Sequence, residues 1–377
     1  MTQDPTRQGG AGKTVWRKER TGQVRAPVAL AAVVLAVLAV VPFVLSSYGL
    51  LIVQRTIILA LFGVAFNVVF GAADMPSLGH AALFGIGGYA AGLGLTTWGW
   101  GMPTVLVVGI AAGGLLGLVF GIATLRTQGI YLLLLTLALA QAVWGLAFQQ
   151  VRLTGGDNGI SGLDRSGLSW FGAGTESFYW SALVVVAVGI GLLYWFHVSA
   201  AGTVLQAVGM SPSRVAALGY SVGWWRVGAF VLSGSMSALA GVLFALSNRF
   251  VGPENLAWQL SAEVMLFAIL GGARWFAGPI IGAVVVVGAE GILTARTDRW
   301  TLVLGALYVV TMLFMPDGVL GIVDRWRRSR GPSGGGPDGQ PVDQPGGGPG
   351  GHTGPRDPEP RNQRQLDPGQ RDLGHPA

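Results

Sequence analysis

Met75–Leu125 reads MPSLGHAALFGIGGYAAGLGLTTWGWGMPTVLVVGIAAGGLLGLVFGIATL, and none of its side chains is Asp, Glu, Lys or Arg. Arg126 interrupts once. Thr127–Val151 and Ser177–Ser213 are again free of all four residue types. A soluble domain carries about 25% charged residues and cannot cover its surface over such lengths without them. A bilayer makes the opposite demand, apolar side chains outside and backbone groups satisfied within each helix. Each run exceeds the roughly 18 residues that mark a membrane-crossing helix. The chain as a whole agrees: of 377 residues, 51% are hydrophobic and 11% charged. The fold class is therefore all-α, a polytopic membrane protein.

Outward from this stretch the apolar pattern divides into about ten spans, each near ~20 residues. They cover 27–45, 50–70, 79–97, 103–124, 129–149, 178–196, 226–247, 258–272, 276–293 and 300–316. Residues 1–26 form a basic tail carrying Arg7, Lys13, Arg17, Lys18, Arg20 and Arg25. Basic and then apolar, the chain start imitates a signal peptide. No small-x-small cleavage site with a soluble segment follows, so Pro27–Leu45 reads as the first span. The positive-inside rule puts the N-terminus in the cytoplasm. Ten spans return the C-terminus to that side, where Arg325, Arg327, Arg328 and Arg330 sit. Arg126 and Arg214 also fall inside, whereas Arg152, Arg165, Arg249, Arg296 and Arg299 fall outside. The expected organisation is a cytoplasmic tail (1–26), a transmembrane domain (27–322) with a cytoplasmic loop at 197–225, and a second tail (323–377). From Gly331 onward the chain is rich in Gly, Pro, Gln, Asp and Arg, cannot bury a core and is expected to be disordered.

Several functions are excluded early. The chain has no cysteine, so disulfide and thiolate chemistry are absent. His80, His197, His352 and His375 are too scattered for a metal cluster. A formal charge of +6 invites a nucleic-acid reading, but the basic residues crowd at segment ends, as a membrane topology requires. Gly10-Ala11-Gly12-Lys13-Thr14 imitates a phosphate-binding loop, yet Arg7 stands where that loop needs its first glycine. If ATP drives this chain, another polypeptide binds it.

Polar residues inside apolar runs mark the candidate path. Asn67, Asp74, Ser77 and His80 lie in NVVFGAADMPSLGH, and Asp74-Met75-Pro76 breaks the helix there. Broken helices are tolerated in membranes where they line a cavity or pack in protein. The glycines Gly79, Gly85, Gly87, Gly88, Gly92 and Gly94 that follow suit close helix packing. Leu83–Gly88 matches Leu266–Gly271 at four of six positions and sets His80 opposite Glu263. The two segments belong to spans of opposite direction, which raises the expectation of an inverted five-plus-five repeat. Glu263 and Glu290 are the acids within the last four apolar segments. Intramembrane acids are functional or structurally paired, and Arg274 is the expected partner in the second case. Gly202–Gly219 is amphipathic through Val204, Leu205, Val208, Val215 and Leu218, and Ser211-Pro212 suits a helix start. Such a helix either docks in a partner's groove or lies on lipid.

The ordered motifs resemble the M-type permease subunit of branched-chain amino-acid ABC importers over roughly residues 50–322. They comprise Asn67 with Ser77-Leu-Gly-His-Ala-Ala82, Phe84-Gly-Ile-Gly-Gly-Tyr89, Gln128-Gly-Ile-Tyr131 and Thr136-Leu-Ala138. Leu153-Thr-Gly-Gly156, Asn158-Gly-Ile160, Gly271-Gly272, Gly278-Pro279 and Met315-Pro-Asp-Gly318 continue the series. The resemblance implies an importer of branched-chain amino acids working by alternating access in a bacterial plasma membrane. It implies four kinds of partner: a second permease subunit, ABC ATP-binding subunits, an extracytoplasmic substrate-binding protein and the membrane lipid. The chain itself would be no enzyme and would hold no cofactor, ATP being bound by partner subunits. Asn67, Ser77, His80, Thr136 and Glu263 become the expected substrate path. Gly202, Leu205, Val208, Ala217 and Gly219 become the expected coupling contacts. Two departures touch the cargo more than the architecture. The coupling stretch Val208–Ser213 lacks the family's usual charges, and Gly271-Gly272-Ala273-Arg274-Trp275 replaces a GGxGT turn. A permease for urea, short amides or another amino acid is one alternative. An ion-coupled transporter using Glu263 and His80 as a proton relay is another.

Overall fold

A computed structural model describes residues 33–168 and 175–294, with a few positions between 302 and 321. The two tails, the Gly10–Thr14 motif and nearly all of the tenth expected span lie outside the described residues. The helices are α1 (Val33–Val44), α2 (Ser47–Asn67), α3 (His80–Thr96), α4 (Met102–Ala123), α5 (Ile130–Gln149) and the single turn α6 (Val151–Thr154). They continue as α7 (Thr175–Val198), α8 (Ala200–Met210), α9 (Pro212–Ala217), α10 (Val222–Asn248), α11 (Trp258–Gly271) and α12 (Gly278–Thr294). Each of the first nine expected spans coincides with a helix. Among the described residues, five helices are long and apolar enough to cross a membrane, namely Ser47–Ala72, α4, α5, Glu176–Val198 and α10. The count of ten therefore rests also on the shorter α1, α3, α11 and α12 and on the undescribed tenth.

Packing centres on α10, against which α2, α3 and α4 lie. In lipid, helices gain no hydrophobic drive from each other, so close backbone approach has to supply the attraction. Glycine makes that approach here. Gly109, Gly113, Gly117 and Gly121 recur every four residues and form one ridge of α4. A Cβ at Gly113 would meet the Gly234 carbonyl, and one at Gly117 the Phe230 carbonyl. Against α3, Gly241 of α10 faces the Phe84 carbonyl and Gly87 of α3 faces that of Ala238. The packing reading of the Gly79–Gly94 glycines is thus the one realised at Gly87.

Two helices are interrupted. Beyond Asn67, α2 widens into a π turn over Val68–Ala72, and Asp74 takes a left-handed φ of 54°. The chain then runs unwound through Pro76, which has no N–H to continue a helix, until α3 begins at His80. The second interruption follows α10. Phe250–Val251 pairs antiparallel with Ile160–Ser161; a short turn over Pro253–Leu256 follows, and α11 starts at Trp258. Val251 packs at Gly92 and Leu256 at Gly85 of α3, so this segment runs back along α3 for about 10 Å of helical rise. That re-entry explains why α11 has only 14 residues: it starts alongside α3, partway down that helix.

The loop at 197–225 contains α8 and α9. Ser199 caps α8 by accepting from the Gly202 N–H at 3.2 Å. Pro212 opens α9 as the sequence suggested, but the Ser211 side chain makes no cap hydrogen bond.

Candidate functional site: a closed polar knot and an open cavity

The expected path residues separate into two groups. Ser77, His80 and Thr136 are wholly buried and tie the broken segment to its neighbours. Ser233 Oγ donates to the Ala65 carbonyl at 2.6 Å, so its lone pair accepts the His80 Nε2–H at 3.0 Å. His80 Nδ1 is then the acceptor for the Ser77 hydroxyl at 3.0 Å. Ser77 Oγ in turn accepts from the Gly79 N–H at 3.2 Å. Thr136 Oγ1 accepts the Leu78 N–H at 3.1 Å and donates to the Leu133 carbonyl at 3.0 Å. Ser261 Oγ accepts from the Ala81 N–H at 2.7 Å. The helix interruption frees backbone amides, and these hydroxyls satisfy them, as apolar surroundings require. Phe66 stands edge-on to the imidazole at 4.8 Å and Phe230 stacks on it at 5.9 Å. This arrangement holds His80 in one neutral tautomer with both nitrogens engaged.

Asn67 stands in the second group. It lines a cavity of about 550 Å³ whose walls come from the π turn, the end of α7, the inner face of α8 and the turn between α11 and α12. Polar groups converge there: Asn67, Asp74, His197, Gln206 and Arg274, set among Phe70, Leu193, Phe196 and Phe276. Asn67 is 8% exposed. Its Nδ2 donates to the Trp275 carbonyl at 3.4 Å, and its Oδ1 has no partner among the described residues. A Cβ at Gly71 would meet both Asn67 Oδ1 and the Ala273 carbonyl, so two acceptors converge where only glycine fits. A second cavity of about 340 Å³, lined by Gln128, Gly129, Pro212 and Arg226, shares Asp74 and Gly209 with the first.

Glu263 lies on neither cavity wall. It sits in α11 within electrostatic reach of Arg55 and Glu290. Arg55 Nη1 meets Glu290 Oε1 at 3.0 Å, which corrects the expectation that Arg274 pairs with an acid of the last spans. Twelve residues of α12, about 18 Å of rise, separate Glu290 from the end of α12 nearest Arg274. Arg55 of α2 was the residue that pattern reading passed over. As the single cation within its span, it had a signal that could have found it.

The expected coupling residues divide as well. Gly202, Leu205 and Val208 are buried against the chain's own helices. Gly209 rests on the Ala72 carbonyl, where a Cβ would stand 2.5 Å away. Ala217 and Gly219 are exposed, and beside them Met210 and Leu218 are 82% and 77% exposed. The outward apolar face of this loop is therefore Met210, Ala217, Leu218 and Gly219.

A bundle of apolar, glycine-packed helices with interrupted spans and a polar cavity between them defines a multi-pass transport permease. The family follows from comparison. Residues 48–313 match the model of the branched-chain amino acid transport system permease component, and the chain belongs to that family. It is 28% identical over 315 residues to the high-affinity branched-chain amino acid transport system permease protein LivM of Escherichia coli, covering 76% of this chain and 74% of that one. The Salmonella typhimurium LivM is also 28% identical, over 74% of this chain and 71% of its own. The galactofuranose transporter permease protein YtfT of Escherichia coli is 27% identical over 64% of this chain and 71% of its own. No solved structure matches the chain.

Proposed function

We propose that this chain is the conduit of an ATP-driven importer for branched-chain amino acids, in a bacterial plasma membrane with both termini cytoplasmic. ATP-binding subunits dock on the outward face of α8 and α9. A second permease subunit completes the channel, and an extracytoplasmic binding protein delivers the solute. The chain performs no covalent chemistry and binds no nucleotide. One observation carries this reading. The helix expected to meet the ATPase packs by Gly209 directly on the π turn of α2, and it also walls the cavity. A displacement of α8 therefore acts on the interrupted helix and on the cavity together, with no intervening element. Rigid packed elements with discrete arrangements are what couples distant events in proteins.

The proton-relay alternative loses its support at His80. Taking up a proton at Nδ1 requires expelling the Ser77 hydroxyl proton from its acceptor, and the ring is wholly buried. Reconstitution in proteoliposomes with the partner subunits and binding protein tests the proposal. Leucine uptake should stop with vanadate and persist with an uncoupler. Uptake that ignores vanadate and collapses with an uncoupler refutes the ATP-driven reading.

A further inference from the structure

We infer that the cavity beneath α8 is a binding site for a small zwitterion, with its ammonium at Asn67 Oδ1 and Asp74 and its carboxylate at Arg274. This deepens the importer reading and rests on it. The first ground is the unpaired acceptor. Asn67 is more than nine-tenths buried, lines the cavity, and leaves its Oδ1 unbonded among the described residues. Its amide is fixed in that sense by the Nδ2 contact to the Trp275 carbonyl. Buried polar atoms are almost always paired, and an exception marks a place where something else binds.

The second ground is charge. Asp74 and Arg274 have opposite signs and line the same cavity, yet neither has an ion-pair partner among the described residues. Asp74 is held at a φ of 54°, a conformation that is strained for a residue with a Cβ even though Asp tolerates it better than most. Strain of this kind persists where the surroundings fix a side chain for a purpose. Arg274 offers a planar fork that matches a carboxylate. Phe70, Leu193 and Phe276 also line the cavity and offer apolar surface to an aliphatic side chain. The volume falls within the roughly 300–1,000 Å³ of small-molecule sites. Asp74 and Arg274 are both exposed where they line the cavity, and a zwitterion engages both charges as ions where a neutral sugar engages neither.

The test is calorimetric binding to the intact importer complex in nanodiscs, using L-leucine, 4-methylvalerate (which lacks the ammonium) and isopentylamine (which lacks the carboxylate). Wild type should bind leucine at least ten-fold tighter than either analogue. Asp74→Asn should lower leucine affinity about ten-fold or more while leaving the weak binding of 4-methylvalerate unchanged. Arg274→Gln should do the converse, sparing isopentylamine, and Arg274→Lys should recover part of the loss. Each variant is compared only where its elution and melting temperature equal those of wild type. If a variant fails that check, its conservative partner, Asp74→Glu or Arg274→Lys, replaces it and should shift the ratio between leucine and the analogue in the same sense. Equal affinity of leucine and its analogues, or leucine affinity unchanged in both variants, overturns the site. If leucine is still imported in that case, the importer reading survives. If the wild-type complex instead imports a different solute while binding leucine with the expected selectivity, the importer reading falls and the site stands.

Discussion

Twelve residues separate Asn67 from His80, and the polar groups at the two ends of that stretch behave in opposite ways. At the His80 end every hydroxyl and ring nitrogen of Ser77, His80, Thr136 and Ser233 has a partner. At the Asn67 end an amide oxygen has none among the described residues, and an acid and a base line one cavity without forming an ion pair there. The first arrangement is a structural device, in which side chains stand in for the helical hydrogen bonds that the unwound segment gives up. The second is an incomplete set that a solute can complete. Polar residues in a membrane span are conspicuous in sequence, but conspicuousness does not distinguish these two uses. Satisfaction does.

The comparison breaks most visibly at His80. His80→Ala removes a ring packed between Phe66 and Phe230, leaves the Ser77 hydroxyl hydrogen without its acceptor and takes one donor from Ser233. A cavity of that size and one unpaired buried donor together cost roughly 3–5 kcal/mol. Chemical unfolding in mixed micelles should show a loss on that scale; a change below about 1 kcal/mol would mean that the knot does not hold the break together. Thr136→Val keeps the shape and deletes the hydrogen bond to the Leu78 amide. It should cost about 1–2 kcal/mol, while the protein that remains folded transports leucine at the wild-type rate. Slow uptake with intact stability would move Thr136 into the solute path and redraw the boundary between the two regions.

The sequence carried some of this division and hid the rest. Uncharged runs announced the spans, and Asp74-Met75-Pro76 announced the first interruption, because both signals are local. The second interruption at 249–257 reads as an ordinary loop. Its re-entry depends on Gly85 and Gly92 of α3 admitting Leu256 and Val251, a fit between segments about 165 residues apart. Only Ser77 among the partners of His80 is local; Ser233 on α10, and Ser261 on α11 for Ala81, are remote, so the sequence near His80 does not show it as a tie between helices. Amphipathicity identified an apolar face on α8 without revealing what covers it. Leu205 and Val208 turned out to face the chain itself, leaving Met210 and Leu218 outward. Arg55 and Glu290, on helices 235 positions apart in sequence, could not be paired by spacing at all.

The smallest expected change in stability falls at Asn67, and it separates the two regions most sharply. Asn67→Leu is close to isosteric. It gives up the 3.4 Å contact from Nδ2 to the Trp275 carbonyl, a long hydrogen bond worth about 0.5–1.5 kcal/mol at most. It also abolishes a buried acceptor that has no partner, whose desolvation costs roughly 1–3 kcal/mol. The two effects oppose each other, so unfolding should shift by about 1 kcal/mol or less, and toward greater stability if toward either. Leucine uptake should nevertheless fall about ten-fold, since one strong polar contact to a charged ammonium is worth roughly 1.5 kcal/mol or more. A structural role predicts the reverse pattern, with stability lost as at His80 and transport by the folded fraction preserved. Measuring both quantities on this one variant therefore decides on which side of the division Asn67 stands.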